Sequence, residues 1–103
     1  WKSYGAVSMA KSALESACRQ MALELAPHGI ASNAIMAGVT DTPALRKIPG
    51  NDRMIDHAIS VNPHGRLTTP EEIGDAVTMI GLSESSWITG NTIRADGGED
   101  ITG

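Results

Sequence analysis

The sequence is poor in aromatic residues and has a single cysteine. Among its 103 residues there is no phenylalanine, and the aromatic side chains are two tryptophans and one tyrosine, Tyr4. A core of this composition would be aliphatic, so a lone tyrosine near one end is conspicuous. The single cysteine, Cys18, excludes an internal disulfide and, with no zinc-type spacing among the histidines, any cysteine-based metal cluster. We therefore expect no metal site.

Positive charge is also scarce. Eight Lys and Arg stand against twelve Asp and Glu, the net charge is −4, and no basic run occurs. Nucleic acid is therefore not an expected partner. The sequence shows no charged-then-apolar leader and no apolar run of membrane length, so neither export nor a membrane span is indicated. The expected location is cytoplasmic.

The apolar pattern predicts alternating helices and strands. Residues 4–25 repeat apolar side chains every three or four positions, which is typical of one helical face. Thr69, Pro70 and Glu72 supply the N-cap, first-turn proline and third-position acid of a capped helix. The remaining segments predict a buried strand over 30–36, a loop over 37–49, a weak helix over 51–61, and a second strand over 87–95 closed by a turn at 96–98.

The order of these elements indicates an α/β fold. Two strands separated by a helix-containing stretch form a parallel pair with a right-handed crossover. A sheet of two strands would leave much apolar surface exposed. Because Trp1 is also not an initiator methionine, we expect the sequence to be part of a longer chain.

Two residue pairs near the start could carry chemistry. Tyr4 and Lys11 are seven residues apart, a spacing that on a helix returns to within about 20° of the same direction and climbs roughly 10.5 Å. An ammonium beside a phenol favours the phenolate and tunes the phenol for proton donation. Ser8 and Lys11 have the SxxK spacing of serine enzymes, but no SDN-like or KTG-like motif follows. Ser8 is therefore read as an ordinary helical serine, and Tyr4 with Lys11 as either a catalytic pair or an interfacial tyrosine beside a solvated lysine.

Three further blocks, in order along the chain, carry a family resemblance. Together with Tyr4-x6-Lys11 they are NAIMAGVTDT over 33–42, PHGRLTTPEEIG over 63–74 and ITGNTIRADGG over 88–98. The set resembles the short-chain dehydrogenase/reductase family, in its enoyl-thioester reductase branch. The first block is similar to NxxxPGxxxT, with Ala37 in place of the proline, and the last is similar to TGxxxxxDGG. Commoner members have Tyr-x3-Lys, where this sequence has Ser8.

The resemblance implies a fold and a domain assignment. It covers essentially residues 1–103 and corresponds to the C-terminal two-fifths or so of a Rossmann-type doubly wound parallel sheet, the catalytic and substrate-side portion. The glycine-rich phosphate loop of the dinucleotide-binding N-terminal half is not in the sequence. The 103 residues alone are thus expected to bind NADPH weakly or not at all.

The resemblance also implies roles for individual residues. Tyr4 would polarise a thioester carbonyl and stabilise or protonate the enolate oxygen, and Lys11 would bind the nicotinamide ribose. The backbone around Val39 would hold the carboxamide, and the Thr42 hydroxyl would meet the amide or a phosphate. The full sets are Lys11, Ala37, Gly38, Val39 and Thr42 for the cofactor and Tyr4, Pro43, Ala44 and Leu45 for the substrate.

Several alternatives stay open at this stage. The expected cofactor is NADP or NAD, and NADPH is favoured. The expected substrate is an enoyl thioester of fatty acid biosynthesis, and the alternative is a 3-oxoacyl thioester or other carbonyl compound. A third reading is a non-catalytic fragment or association module. An acyl carrier protein near Arg46 and Lys47 is a further candidate partner, and the family implies a homodimer or homotetramer. Asn33 and Gly38 are explained equally well by purely structural roles, and Asp96, Gly97 and Gly98 are expected to be structural, giving a tight exit from the strand.

Overall fold

The computed structural model of the protein describes residues 2–102 and confirms the α/β class. Residues 2–102 contain four helices and two strands, and three of the helices lie between the two strands. In chain order they are α1 (Gly5–Leu25), a 3-10 turn (Ala26–His28), β1 (Ala34–Ala37), α2 (Pro43–Arg46), α3 (Asn51–Val61), α4 (Pro70–Gly81), β2 (Thr92–Ala95) and a second 3-10 turn (Glu99–Ile101). Within residues 2–102, no helix is both long enough and apolar enough to cross a membrane.

The chain divides into two compact units. The first unit comprises the chain through Ile35 together with Ser83–Ile93, and the second comprises Met36–Leu82 together with the chain from Arg94 onward. Each strand therefore gives its first two residues to the first unit and its last two to the second.

The first unit is built on the long helix α1. The predicted helix is confirmed, with Tyr4 as its N-cap residue and Gly5–Leu25 as its 21 helical residues. Pro27 and Gly29 end it, because Gly29 adopts the left-handed conformation at φ 68° and its N–H donates to the Ala26 carbonyl. Cys18, the predicted small buried residue, is 4% exposed and its Sγ accepts a hydrogen bond from Ser32 Oγ at 3.5 Å.

The two strands are parallel, as predicted, but shorter than predicted. β1 pairs with β2, and the bonds Ala34 N to Asn91 O (2.8 Å) and Gly38 N to Ala95 O (3.3 Å) keep one register. Residues 30–33 and 87–91 lie outside the strands and are joined by isolated backbone and side-chain bonds, with Gly90 N donating to Ser32 O at 2.7 Å and Asn33 Nδ2 donating to Ile88 O at 2.8 Å. The predicted burial of the first strand is wrong, since its residues are half-buried or exposed.

Apolar side chains on α1 and α4 are widely exposed, as the small sheet led us to expect. In the first unit, Met9 and Leu23 of α1 are exposed, and in the second, Met79 of α4 is 73% exposed. Cys18 and Ala22 are the buried residues of α1, and of these two only Cys18 belongs to the predicted apolar face. Within residues 2–102 these faces therefore lack the apolar cover that their sequence pattern requires.

The second unit corrects one prediction between β1 and α3. Residues 37–49 were predicted as a loop, but Pro43–Arg46 form the one-turn helix α2. The reason is local: Thr42 caps the turn by accepting from Leu45 N at 3.2 Å, and Pro43 occupies the first helical position. The weak helix predicted over 51–61 is confirmed as α3, whose Ile55 and Ala58 are buried.

The capping box predicted for α4 is confirmed in full. Thr69 Oγ1 accepts from Glu72 N at 3.3 Å, and Glu72 Oε2 accepts from Thr69 N at 3.0 Å. Arg66 also donates to both oxygens of this carboxylate. The hydrogen bond from Arg66, followed by the one from the Thr69 backbone, lowers the pKa of Glu72 from 4.5 to about 2. The carboxylate is therefore ionised throughout the physiological pH range.

The Thr69 cap gives a stability prediction. Replacing Thr69 with Ala leaves the Glu72 N–H without its side-chain acceptor, so we expect the free energy of unfolding to fall by about 1 kcal/mol. Thr78→Ala is the matched control, because the Thr78 hydroxyl only bonds back to Gly74 O on the exposed side of the same helix and should change stability by less than about 0.5 kcal/mol. Urea unfolding of the full-length protein measures both. Equal losses in the two variants would contradict the capping role.

Candidate active site

Tyr4 and Lys11 both lie in the first unit and are accessible. The Tyr4 carbonyl accepts from Ser8 N at 2.8 Å, so the helical hydrogen-bond ladder begins at Tyr4. Helical spacing therefore applies between Tyr4 and Lys11, and two turns of helix separate them. Tyr4 is 40% exposed, and Lys11 is exposed. A fully buried Tyr4 would have argued against a catalytic role; Tyr4 is not buried, and its role stays a prediction.

The chain enters α1 through a strained residue. Ser3, directly before Tyr4, has φ 70°, and it is the one non-glycine residue with positive φ among residues 2–102. Such a conformation costs on the order of 1 kcal/mol or more, and conformations of this kind concentrate at functional sites. The strain sits where the sequence predicted a catalytic residue.

The remaining predicted cofactor residues lie in the second unit: Ala37 is the last residue of β1, and Gly38, Val39 and Thr42 are on the loop after it (residues 38–42, hereafter the β1 loop). Gly38 packs so closely that a Cβ built on it would lie 2.5 Å from Thr68 Oγ1 and 3.1 Å from the Asp96 Cα. Thr68 N donates to the Val39 carbonyl at 3.0 Å, and Asp41 N donates to the Thr68 carbonyl at 3.0 Å. The β1 loop is therefore held against the segment before α4 by backbone hydrogen bonds.

Two side chains complete the β1 loop. Val39 N donates to Glu99 Oε2 at 3.0 Å, and Thr40 Oγ1 donates to Gly38 O at 2.7 Å. Thr42, at the end of the loop, uses its hydroxyl as an acceptor in capping α2. A hydroxyl that accepts in this way still carries a hydrogen that can be donated to an anion or carbonyl. The loop thus offers the Val39 carbonyl as an acceptor and the Thr42 hydroxyl as a donor.

The predicted substrate residues differ in exposure. Pro43 and Ala44 of α2 are exposed, as is Ala37 at the end of β1, whereas Leu45 is 7% exposed. Leu45 belongs to the buried part of the second unit. Arg46 is exposed and its guanidinium donates to Asp41 Oδ1 through Nε (3.2 Å) and Nη2 (3.1 Å), while the neighbouring Lys47 is exposed. The assignment of substrate contacts stays a prediction.

Each unit by itself offers groups that suit one part of a nicotinamide dinucleotide. In the second unit the Val39 carbonyl is oriented by backbone bonds, and the close packing of Gly38 against Thr68 and Asp96 fixes the course of the loop. An exposed ammonium on Lys11 suits ribose hydroxyls, and the Thr42 hydroxyl suits an amide or a phosphate oxygen. Two carboxylates lie at the β1 loop: Asp41 pairs with Arg46, and Glu99 accepts a hydrogen bond from Val39 N and lies near Asn62.

Sequence reasoning missed three residues that organise this loop. Thr68 and Asn62 are buried polar residues, at 5% and 6% exposure, and Glu99 follows the glycine pair of the terminal turn. Their partners lie far along the chain, and no local spacing signals them. The histidines, by contrast, are exposed as predicted. In the part of the chain that the structure describes, no cluster of three or more His, Cys, Asp or Glu side chains could hold a metal ion.

The second unit also contains a cavity of about 260 Å³. Its polar lining is already hydrogen-bonded, since Arg66 pairs with Glu72 and the Asn62 carbonyl oxygen accepts from His64 N at 2.8 Å. The lining is formed by Asn62, His64, Arg66, Leu67, Thr68, Glu72, Ala95 and Gly97. Nothing in it calls for a ligand of particular chemistry.

Comparison with known proteins finds a matching family and several related proteins. The family described as enoyl-(acyl carrier protein) reductase matches residues 1–100. The enoyl-acyl-carrier-protein reductase (NADH) FabI of Aquifex aeolicus is 37% identical over 100 residues, which are 97% of this chain and 37% of that protein. The (3R)-3-hydroxyacyl-CoA dehydrogenase of Canis lupus familiaris is 38% identical over 77 residues, covering 75% of this chain and 29% of that protein.

The structure of this chain is also similar to solved structures of such proteins. The Bacillus cereus enoyl-acyl carrier protein reductase, in complex with NADP+ and indole naphthyridinone, superposes with a TM-score of 0.89 at 31% identity, over 100% of this chain and 40% of that one. The chain thus spans well under half the length of the proteins it matches. The superposition assigns the α/β arrangement to the Rossmann type.

The close approach at Gly38 gives the second prediction. Gly38→Ala should cost about 1–3 kcal/mol of stability, because the new methyl meets the Asp96 backbone and the buried Thr68 side chain. Gly74→Ala is the matched control: nothing lies within 4 Å of its added Cβ, and removing a helical glycine should stabilise by about 0.5–1 kcal/mol. Thermal and urea unfolding of the full-length variants check both. A Gly38→Ala protein as stable as the unmodified one would refute the packing described here.

Proposed function

Because the chain belongs to the enoyl-acyl-carrier-protein reductase-like family of short-chain dehydrogenases/reductases, we propose that it carries the catalytic residues of an oxidoreductase that reduces an enoyl thioester. The supporting observation is the accessible phenol of Tyr4 at the first position of the α1 hydrogen-bond ladder, with Lys11 two turns further along the same helix. This Tyr-x6-Lys spacing distinguishes enoyl-thioester reduction from the Tyr-x3-Lys pattern of commoner family members.

In this proposal the protein's residues bind, orient and transfer a proton. The Tyr4 hydroxyl hydrogen-bonds to the thioester carbonyl, stabilises the negative charge that develops on its oxygen, and donates a proton. Lys11 binds the ribose hydroxyls of the cofactor. The Val39 carbonyl accepts from the nicotinamide carboxamide, and the Thr42 hydroxyl donates to the amide or a phosphate oxygen. When bound, the nicotinamide supplies the hydride.

The cofactor is proposed to be NADPH or NADH, with NADPH first. The Bacillus cereus relative was solved with NADP+, whereas the Aquifex aeolicus relative is named for NADH. In this fold, the contact that discriminates NADPH from NADH is made near the adenosine ribose, by residues of the first half of the sheet. Titration of the full-length protein with each reduced nucleotide, followed by fluorescence, separates the two.

A second candidate function is reduction of a 3-oxoacyl thioester or another carbonyl compound. The observation that favours it is the similarity to the dog 3-hydroxyacyl-CoA dehydrogenase, which is as high as that to the Aquifex aeolicus reductase. The same phenol would then protonate an alkoxide instead of an enolate. Consumption of NAD(P)H with crotonyl against acetoacetyl thioesters tests the choice, and turnover of acetoacetyl thioester alone would exclude the enoyl assignment. Assembly as a homodimer or homotetramer is proposed by analogy only.

The catalytic pair gives the third prediction. Tyr4→Phe removes the proton donor but keeps the ring, so kcat should fall roughly 100-fold or more with NAD(P)H binding preserved. Lys11→Met removes the ammonium, and the KM for the cofactor should rise together with the fall in kcat. Ser8→Ala, which lies between them on α1, is the matched control and should retain its activity. Unchanged turnover in Tyr4→Phe would show that another group donates the proton.

We further propose that the cationic end of α2 contacts an acyl carrier protein. The fourth prediction is that Lys47→Glu combined with Arg46→Glu raises the KM for a carrier-bound substrate about fivefold while leaving a coenzyme A thioester unaffected, because only the carrier presents an extended acidic surface. Arg19→Glu on α1, also an exposed position, is the control for reversing a cation elsewhere on the surface. Equal KM values for the carrier-bound substrate in all three proteins would refute docking at α2.

A further inference from the structure

The backbone of Thr68 holds the β1 loop through an isolated bridge. Thr68 N donates to the Val39 carbonyl, and the Thr68 carbonyl accepts from Asp41 N, both at 3.0 Å, which makes Thr40 and Thr68 a parallel pair outside the two strands. Thr68 itself is 5% exposed. Because the bridge is isolated, no adjoining ladder bond aligns it. The course of the β1 loop therefore depends on what fixes the two peptide groups of Thr68.

Two charged side chains bond to the far side of those same peptide groups. In a planar trans peptide group the C=O and the N–H point in opposite directions. Leu67 O, which shares its peptide group with Thr68 N, accepts from Arg66 Nη1 at 3.0 Å. Thr69 N, which shares its peptide group with Thr68 O, donates to Glu72 Oε2 at 3.0 Å. Each bond from Thr68 to the β1 loop is thus backed by a bond to a charged side chain.

Arg66 and Glu72 are also joined to each other. Arg66 Nη1 donates to Glu72 Oε2 at 3.1 Å, and Nη2 donates to Oε1, so the pairing is bidentate and fixes the orientation of both groups. Hydrogen bonds in a chain polarise one another. A carbonyl bonded to a cation makes the N–H of its peptide group a better donor, and an N–H bonded to an anion makes its C=O a better acceptor. The two charges therefore strengthen both bonds of the bridge.

The ion pair is too exposed for its main effect to be on the stability of the whole unit. The side chains of Arg66 and Glu72 are 52% and 42% exposed, and pairs with this exposure usually contribute little to the free energy of unfolding. What sets this pair apart is its bonds to the backbone on either side of Thr68. We therefore expect its effect to be local to the bridge and the β1 loop.

We propose that Arg66 and Glu72 are positioning residues of the β1 loop: their ion pair holds the two peptide groups of Thr68 so that its N–H and C=O face the loop. In this account neither side chain touches cofactor or substrate, and both act through Thr68. The effect on the loop concerns only groups within the second unit. The effect on cofactor binding rests on the proposed function, which assigns the loop to the nicotinamide dinucleotide.

Three variants of the full-length protein and one control test the inference. Arg66→Met removes the donors and keeps the aliphatic stem, Arg66→Lys keeps the charge without the planar fork, and Glu72→Gln keeps an acceptor for Thr69 N without the charge. The control is Arg94→Met, which removes a guanidinium from another ion pair of the same unit. Its side chain is 51% exposed, close to the exposure of Arg66.

The first readout is amide hydrogen exchange without cofactor, at Thr68 and Asp41 relative to Gly38. The Gly38 amide donates to Ala95 O in the sheet, so it reports on the unit as a whole. The relative rates at Thr68 and Asp41 should rise roughly tenfold in Arg66→Met, by less in the other two variants, and not in the control. General destabilisation would speed all three amides together. Relative rates that do not change in Arg66→Met therefore overturn the inference.

The second readout is the dissociation constant of NADPH and of NADH, measured by fluorescence. It should rise roughly fivefold in Arg66→Met, recover in part in Arg66→Lys, and stay the same in Arg94→Met. Unchanged binding in Arg66→Met would show that the bridge does not position the loop for the cofactor. Equal weakening in Arg94→Met would show a general effect of removing a surface cation. Either result overturns the inference.

Failure of this inference can be told apart from failure of the proposed function. Faster relative exchange and weaker nucleotide binding in Arg66→Met, with no turnover of enoyl thioesters by the unmodified protein, support the positioning role and refute the enoyl reductase assignment. Turnover of enoyl thioesters by the unmodified protein, with exchange and binding unaffected by Arg66→Met, supports the assignment and refutes the positioning role.

Discussion

The second unit depends on how closely the backbone at Gly38 approaches Thr68 and Asp96. A Cβ at Gly38 would stand 2.5 Å from Thr68 Oγ1, so the approach is available only to glycine. The bonds between Val39, Asp41 and Thr68 form across this contact, and the Glu99 carboxylate secures the same loop from the other side. If the approach were lost, the Val39 carbonyl and the start of α2 would lose their fixed positions together. The main constraint on the β1 loop is therefore the close packing at Gly38. The hydrogen bonds orient the loop once that packing is possible.

Electrostatics and capping then determine the ends of the helices around the loop. Thr42 and Thr69 cap α2 and α4 in the same way, by accepting from the backbone N–H three residues on. In α4 the cap is reinforced by Glu72, whose carboxylate accepts hydrogen bonds from Arg66 and from the Thr69 backbone N–H. A short helix such as α2 depends on its cap far more than a long one, because it has few internal hydrogen bonds. The exposed residues Pro43 and Ala44 are presented by that single turn.

Much of this could be predicted from the sequence because the signals were local. Residues close together in the sequence signal three of these features. They are the apolar repeat along α1, the capping box of α4, and the left-handed Gly97 and Gly98 that end β2. The one-turn helix at Pro43 was also signalled, by Thr42 and Pro43, but four residues are too few to show a period. The strands were overestimated because residues 30–33 and 87–91 are joined by isolated bonds, from Gly90 N to Ser32 O and between Asn33 and Asn91, which an apolar pattern does not reveal. The roles of Glu99, Asn62 and Thr68 depend on partners tens of residues away, and nothing short of the fold brings them together.

The most direct test of the account is a crystal structure of the full-length protein with its nicotinamide dinucleotide and an unreactive enoyl thioester bound. The account predicts a distance of roughly 3 Å from the carboxamide nitrogen to the Val39 carbonyl oxygen, and similar distances from Lys11 Nζ to a ribose hydroxyl and from the Tyr4 hydroxyl to the thioester oxygen. Glu99 should still accept from Val39 N. A nicotinamide bound away from the β1 loop, or a thioester oxygen met by a group other than Tyr4, would contradict it.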